Sequence, residues 1–221
     1  MPDDRNSTPM LSDDYNAAFQ LASEVHAFQR RKGTQIPYLA HVMSVSALVM
    51  EYGGDEESAI AGLLHDAVED ADDGDAMLAQ IRSRFGERVA DIVDECSDTR
   101  AIPGRPKPEW TERKEAYLRR LEKVDDDRTL LVSASDKLHN ARAIVADLHL
   151  VGLAIFERFT TKDGADQIWY YQSLSDIYCR LLPGPLAESV RAVVERMTRD
   201  VDALGLVMRP GQVEWLTRSA I

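Results

Sequence analysis

Apolar residues recur at helical spacing along almost the whole chain. Tyr15, Ala18, Phe19, Ala22, Val25 and Phe28 make a stripe at i, i+3, i+4 spacing. Ser12 followed by Asp13 and Asp14 is a helix start, so the pattern predicts a first helix from there to about Arg31, stopped by Gly33. A second helix is expected over roughly 40–52, rich in Val, Met and Leu and broken by Gly53-Gly54. Asp55 caps a third, which runs through Leu63-Leu64-His65-Asp66-Ala67-Val68-Glu69-Asp70. After an Asp-rich turn at 72–75, a short helix to about Arg84 and another over Glu87–Ser97 follow.

Residues 98–109 hold Pro103, Gly104, Pro106 and Pro108 and read as a loop. Trp110–Lys123 is a charged amphipathic helix, and Arg128 to about Leu148 a long apolar one, with weaker helical character over 149–160. Ala165–Leu182 and Leu186–Leu204 complete the series, separated by Pro183-Gly184-Pro185. No run alternates with the period of a strand, so the expected fold class is all-α. Residues 1–11 are expected to be a flexible tail, 12–182 the main domain, and 183–221 a C-terminal helical extension.

Composition narrows the function classes. The 221 residues carry a formal net charge of −12, which argues against a duplex nucleic-acid surface. An anionic substrate then needs local positive charge, from a metal or a basic pocket. The two cysteines, Cys96 and Cys179, make no disulfide framework and fit a reducing compartment. No apolar run approaches the ~20 residues that span a bilayer, and the acidic N-terminus lacks a signal-peptide core. A cytoplasmic protein with no membrane partner is expected, with homo-oligomerisation left open.

The chemistry concentrates around His65-Asp66. On one continuous helix, i and i+4 share a face, so His65 would lie beside Glu69 and Asp66 beside Asp70. Carboxylates late in a helix oppose its dipole, a cost that a cation would offset. His41 at a helix start and Asp136 on the long later helix complete a set of two imidazoles and two carboxylates. Such a set suits a divalent metal that activates water. Glu69, with Asp70 assisting, is placed to orient that water or carry its proton. The reaction expected is metal-assisted hydrolysis of a phosphate ester.

Three blocks carry a family resemblance: Pro37-Tyr38-Leu39-Ala40-His41, Leu63-Leu64-His65-Asp66-Ala67-Val68-Glu69-Asp70, and Ser135-Asp136-Lys137-Leu138-His139-Asn140-Ala141-Arg142. Phe85–Val89, Val93–Asp98 and Trp110–Lys114 add to it. The pattern His…His-Asp…Asp resembles the HD superfamily of metal-dependent phosphohydrolases. The Glu-Asp pair after the doublet is similar to the hydrolase domain of the RelA/SpoT family and to Mesh-type small alarmone hydrolases. The resemblance implies an HD-domain helical bundle over 12–182 with a single divalent metal, usually Mn²⁺. It implies removal of the 3′-pyrophosphate from guanosine tetra- or pentaphosphate. By it, His41, His65, Asp66 and Asp136 bind metal, Glu69 and Asp70 serve catalysis, and Asn140 contacts the nucleotide. Arg31, Lys32, Lys137 and Arg142 are further substrate-binding candidates.

The sequence departs from that family at two points: Arg30-Arg31-Lys32-Gly33 is separated from Pro37 by three residues, a longer insert, and Ala71 stands where the family often has Thr. No block resembles a synthetase domain, so synthesis is not expected. The rival readings are an HD phosphohydrolase acting on other nucleotides and a non-catalytic nucleotide-sensing module. His139 is expected beside the site rather than in it, and Trp169, Tyr170 and Tyr171 in packing.

Overall fold

The computed structural model describes residues 11–100 and 102–206. Ten α-helices and one 3-10 helix succeed one another without a strand among the described residues. They are α1 (Asp13–Val25), α2 (Leu39–Glu51), α3 (Glu56–Leu64), α4 (Ala67–Asp70) and α5 (Gly74–Phe85). Then come α6 (Glu87–Cys96), α7 (Trp110–Leu121), α8 (Asp127–Val151), the 3-10 helix Gly152–Arg158, α9 (Gly164–Leu181) and α10 (Pro185–Ala203). No helix among them is long and apolar enough to cross a membrane.

The helix starts follow the sequence's polar caps. Ser12, Asp55, Asp73, Asp126 and Asp163 each accept a backbone N–H of the first turn, on α1, α3, α5, α8 and α9 respectively. Pro185 opens α10 just after Gly184.

Two apolar cores lie side by side. The first gathers α1 to α6, with Leu21, Val42, Leu64, Ile81 and Val93 buried in it. The second gathers α7 to α10 around Tyr117, Leu138, Ile168, Tyr178 and Met197. The 25-residue α8 belongs to both, giving Val132 to the first and Leu130, Leu138 and Ile144 to the second. The site described below sits at this seam, where α2 and α3 meet α8. Gly62 permits the close approach of α2 and α3: a Cβ there would stand 3.1 Å from the Ser46 Cα. The α10 helix buries Val190, Val194, Met197 and Val201 in the second core. The expected division at 182/183 falls in the turn before it, and the tail over 1–10 and the extension beyond 206 lie outside the described residues.

Two expectations need correction. The first helix ends at Val25, not near Arg31. His26 turns inward, 2% exposed, with Nδ1 2.6 Å from Gln29 Oε1 and its ring 5.0 Å from that of Tyr38. The chain then folds back on itself: Arg31 N–H donates to the Ile36 carbonyl and Tyr38 N–H to that of Gln29. Gly33, at φ +71°, makes the turn. Phe28 therefore leaves the apolar stripe and stands in solvent. A buried imidazole and a local hairpin have overridden the helical periodicity.

The second correction lies in the motif itself. The third helix stops at Leu64, and Glu69 and Asp70 sit on the separate one-turn helix α4. The His65 imidazole contacts the carbonyl of Gly62 at 2.9 Å, the same acceptor that Asp66 N–H would use in a continuing helix. Asp66, at φ −97° and ψ −5°, then redirects the chain. The acids thus close a separate single-turn helix rather than a long one, so the dipole they oppose is that of one turn.

Candidate active site

His41 comes from the first turn of α2, His65 and Asp66 from the α3–α4 junction, and Asp136 from the middle of α8. Nearly one hundred residues of sequence separate the first from the last, and the fold closes that gap. His65 Nε2 lies 3.0 Å from Asp66 Oδ2 and 3.6 Å from Asp136 Oδ1. His41 Nε2 lies 3.2 Å from Asp136 Oδ1 and 3.6 Å from Asp66 Oδ2. His41, His65 and Asp66 offer ligand atoms that all lie within 4.8 Å of one another. Asp136 joins them through its contacts with both rings.

The two histidines are set up alike. Each has Nδ1 committed, His65 to the Gly62 carbonyl and His41 to His139 Nδ1 at 2.8 Å. A carbonyl only accepts, so His65 Nδ1 carries its proton, which leaves Nε2 with a lone pair in the neutral ring. Both Nε2 atoms are buried and, among the described residues, neither makes a well-aligned hydrogen bond to the carboxylates beside it. Two such ring nitrogens facing two carboxylates fit a divalent cation. Burial alone would lower the His65 pKa, but Asp66 and Asp136 hold it well above the ordinary value. Burial would likewise raise Asp136, yet Lys137 and the two histidines hold it well below the carboxylate range. The proton this favours on His65 is what a cation would displace.

Other groups fix the carboxylates. Tyr38 donates its hydroxyl to Asp66 Oδ2. Asn140 donates to Asp136 Oδ1 at 2.6 Å, and Lys137 pairs with Oδ2. Arg31 in turn donates to Asn140 Oδ1 at 3.0 Å, so the hairpin of residues 30–37 is tied to α8 beside the site.

Glu69 is largely buried, its side chain 18% exposed. Burial first, then the charges of Asp98 and Asp66, push its pKa up to about 7, against the pull of Lys114 and Lys107. Its Oε1 accepts the Asp98 N–H at 2.8 Å, and Oε2 lies 3.4 Å from Lys107 Nζ. Asp70, more exposed, accepts from Gln29 at 2.8 Å, and its pKa is raised by burial and by Asp66.

The predicted substrate-binding residues part company. Arg31 and Asn140 lie at the site as one hydrogen-bonded pair. Lys32 is exposed beside it, its pKa lowered by partial burial and by the nearby charges of Lys114, Lys107 and Arg113. Lys137 points inward, with Nζ 5.4 Å from the centre of the Tyr117 ring and on Asp136. Arg142 is exposed, one turn beyond His139 on α8. Tyr170 and Tyr171 are buried in the second core.

Sequence reasoning missed four residues. Lys107, Arg113 and Lys114 join Lys32 in a cationic wall, and Asp98 binds Arg113 and Lys114 at 2.5 Å and 2.6 Å. Arg113 and Lys114 carried a signal, since their helix belongs to the family resemblance. Lys107, inside a Pro-rich loop, carried none.

Residues 18–166 match the HD domain family. The chain is 35% identical over 136 residues to a guanosine-3′,5′-bis(diphosphate) 3′-pyrophosphohydrolase of Aquifex aeolicus (strain VF5), covering 62% of this chain and 18% of that one. It is 33% identical over 128 residues to the 3′-pyrophosphohydrolase MESH1 of Xenopus tropicalis, covering 57% and 66%. Among solved structures, a metazoan ortholog of SpoT that hydrolyzes ppGpp superposes with a TM-score of 0.58 at 25% identity, over 91% of this chain and 99% of that one. The chain spans less than a fifth of the length of the first curated relatives it matches, 18% of one and 16% of the other. Since the matched stretch runs through His41, the His65-Asp66 doublet and Asp136, and makes up most of the described helices, the chain belongs to the HD domain family.

Proposed function

We propose that this protein is a metal-dependent phosphohydrolase that removes the 3′-pyrophosphate from guanosine tetra- or pentaphosphate, giving GDP or GTP and pyrophosphate. The observation that carries the reading is the pair of buried Nε2 atoms of His41 and His65 facing Asp66 and Asp136 without a well-aligned hydrogen bond to either. The names of the relatives from Aquifex and Xenopus support the substrate.

In this reading His41, His65, Asp66 and Asp136 hold one divalent cation, taken to be Mn²⁺, since two imidazoles and two carboxylates suit a first-row metal. Such an ion supplies Lewis-acid polarisation of a phosphoryl oxygen and lowers the pKa of a water. Glu69 takes the proton of the attacking water, and a pKa near neutrality lets it both accept and return that proton. Asp70, steadied by Gln29, assists. Arg31 and Asn140 position the nucleotide, while Lys32 and Lys107 face its phosphates, with Arg113 and Lys114 adding to the positive field behind them from their places on Asp98. That wall gives a chain of net charge −12 the local positive field a polyanion needs. Lys137, locked to Asp136, orients that carboxylate, and Arg142 stands at the outer edge of the nucleotide site. The hydrolase unit is taken as residues 12–182, the setting as the reducing cytoplasm, and self-association as a property to be read from sedimentation.

The test is a substrate panel with Mn²⁺ omitted and restored. Pyrophosphate released from guanosine tetraphosphate only when Mn²⁺ is present supports the reading. Turnover of ordinary nucleotides alone replaces it with a different HD phosphohydrolase, and binding without turnover replaces it with a sensor. Glu69→Ala should keep the metal and lose turnover by about 10²-fold or more.

A further inference from the structure

We propose that Asp98 is the positioning residue for Glu69: its side chain, fixed by Arg113 and Lys114, sets the backbone N–H that holds one oxygen of the Glu69 carboxylate. The inference rests on the reading of Glu69 as the proton-handling group and extends it to a residue that touches no reacting atom.

Asp98 lies just past the end of α6, whose last turn is closed by Ser97 N–H and Oγ on the Val93 carbonyl. From there the chain enters the Pro-rich loop. The Asp98 side chain is only 5% exposed, and its Oδ2 takes both Arg113 at 2.5 Å and Lys114 at 2.6 Å. Both cations come from α7, which is itself anchored by Trp110 edge-on to Tyr170 at 5.9 Å and by Lys114 over the Tyr170 ring at 5.0 Å. Arg113 also donates to the Pro108 carbonyl at 3.2 Å, which ties the far end of the loop to the same cluster.

Glu69 is gripped from both ends of this loop. Asp98 N–H reaches Oε1 at 2.8 Å and Lys107 Nζ lies 3.4 Å from Oε2. The first contact is a backbone donor, so its direction depends on ψ of Ser97 and φ of Asp98, and these depend on where the Asp98 side chain is moored. A carboxylate is the group the mooring requires: one oxygen accepts from two cations, and its negative charge offsets part of theirs in a mostly buried setting. Removing that charge leaves Lys114, which already acts on the charge of Glu69, without its carboxylate partner. The glutamate would then be drawn toward α7 and away from a water beside His65 and Asp66.

The test combines turnover, metal affinity and amide exchange. Asp98→Asn keeps the size of the side chain and removes its charge. It should lower kcat by roughly tenfold or more, the scale of a displaced proton carrier. KM should change by less than about threefold, and Mn²⁺ affinity by calorimetry should not change, since no metal-binding group moves. Asp98→Glu should recover part of the loss. In a Glu69→Gln background, Asp98→Asn should cost nothing further, because both substitutions act on one carboxylate. A fully additive loss in the double variant would overturn the proposal. Independently of activity, Glu69→Ala should speed hydrogen exchange at the Asp98 amide, and unchanged exchange there would also overturn it. If the wild-type protein does not turn over guanosine tetraphosphate, the substrate reading fails while the exchange arm still judges the Asp98–Glu69 link.

Discussion

His41 and His139 meet through their Nδ1 atoms at 2.8 Å, although they lie 98 positions apart in the chain. Burial, then the charges of His41 and Arg31, lower the His139 pKa to about 4, so its ring is neutral and can accept the His41 N–H. That contact fixes His41 with its Nε2 turned toward Asp136. His139→Phe, which fills the space without accepting a hydrogen bond, should weaken Mn²⁺ binding by 10- to 100-fold, the usual cost of losing such a partner. Calorimetric titration with Mn²⁺ checks this, and unchanged affinity would assign His139 to packing alone.

Removing the metal should remove the activity and part of the stability. A chelator should abolish turnover, and Mn²⁺ should restore it. At a hundredfold excess over its dissociation constant the ion should stabilise the fold by about 2.7 kcal/mol. Asp136→Ala should lose both the turnover and the thermal shift, which differential scanning fluorimetry reads directly.

The cationic wall should show itself in KM. Lys32 stands exposed among Lys107, Arg113 and Lys114, where each like charge makes an incoming phosphate more welcome. Lys32→Ala should raise KM by roughly tenfold, with kcat within about twofold, as expected when a charge-assisted contact worth about 1.5 kcal/mol is lost. The wild-type KM should rise with salt more steeply than that of the variant.

Asp98 should leave a mark on acid stability. Burial would raise its pKa, but Lys114 and Arg113 lower it from 3.8 to about 2. A carboxylate whose folded-state pKa is depressed contributes stability that is fully present above the unfolded value, near 4, and is lost as pH falls through about 2. The Asp98→Asn variant should therefore be less stable than wild type by about 2 kcal/mol at pH 6, and the gap should narrow below pH 4. Urea unfolding across that range measures it.

The all-helical class and the four converging groups were legible because each depends on local signals. Polar caps at Ser12 and Asp55 mark helix starts, and apolar spacing marks buried faces. His41, His65, Asp66 and Asp136 sit within motifs whose residue types declare a shared chemistry. The early end of α1 and the break after Leu64 were not legible. Both depend on an imidazole, His26 or His65, finding a partner that the chain pattern does not name.

What the sequence determined by itself is therefore the class of structure and the identity of the chemical groups, since propensity, capping and donor type are properties of residues and their near neighbours. What only the tertiary structure decided is which groups face one another across the seam of the two cores. Arg31 on Asn140, and Asp98 between Glu69 and two cations of α7, join segments from 15 to 109 positions apart. Packing sets those pairings, because burial strengthens each charge and leaves it few partners to choose from.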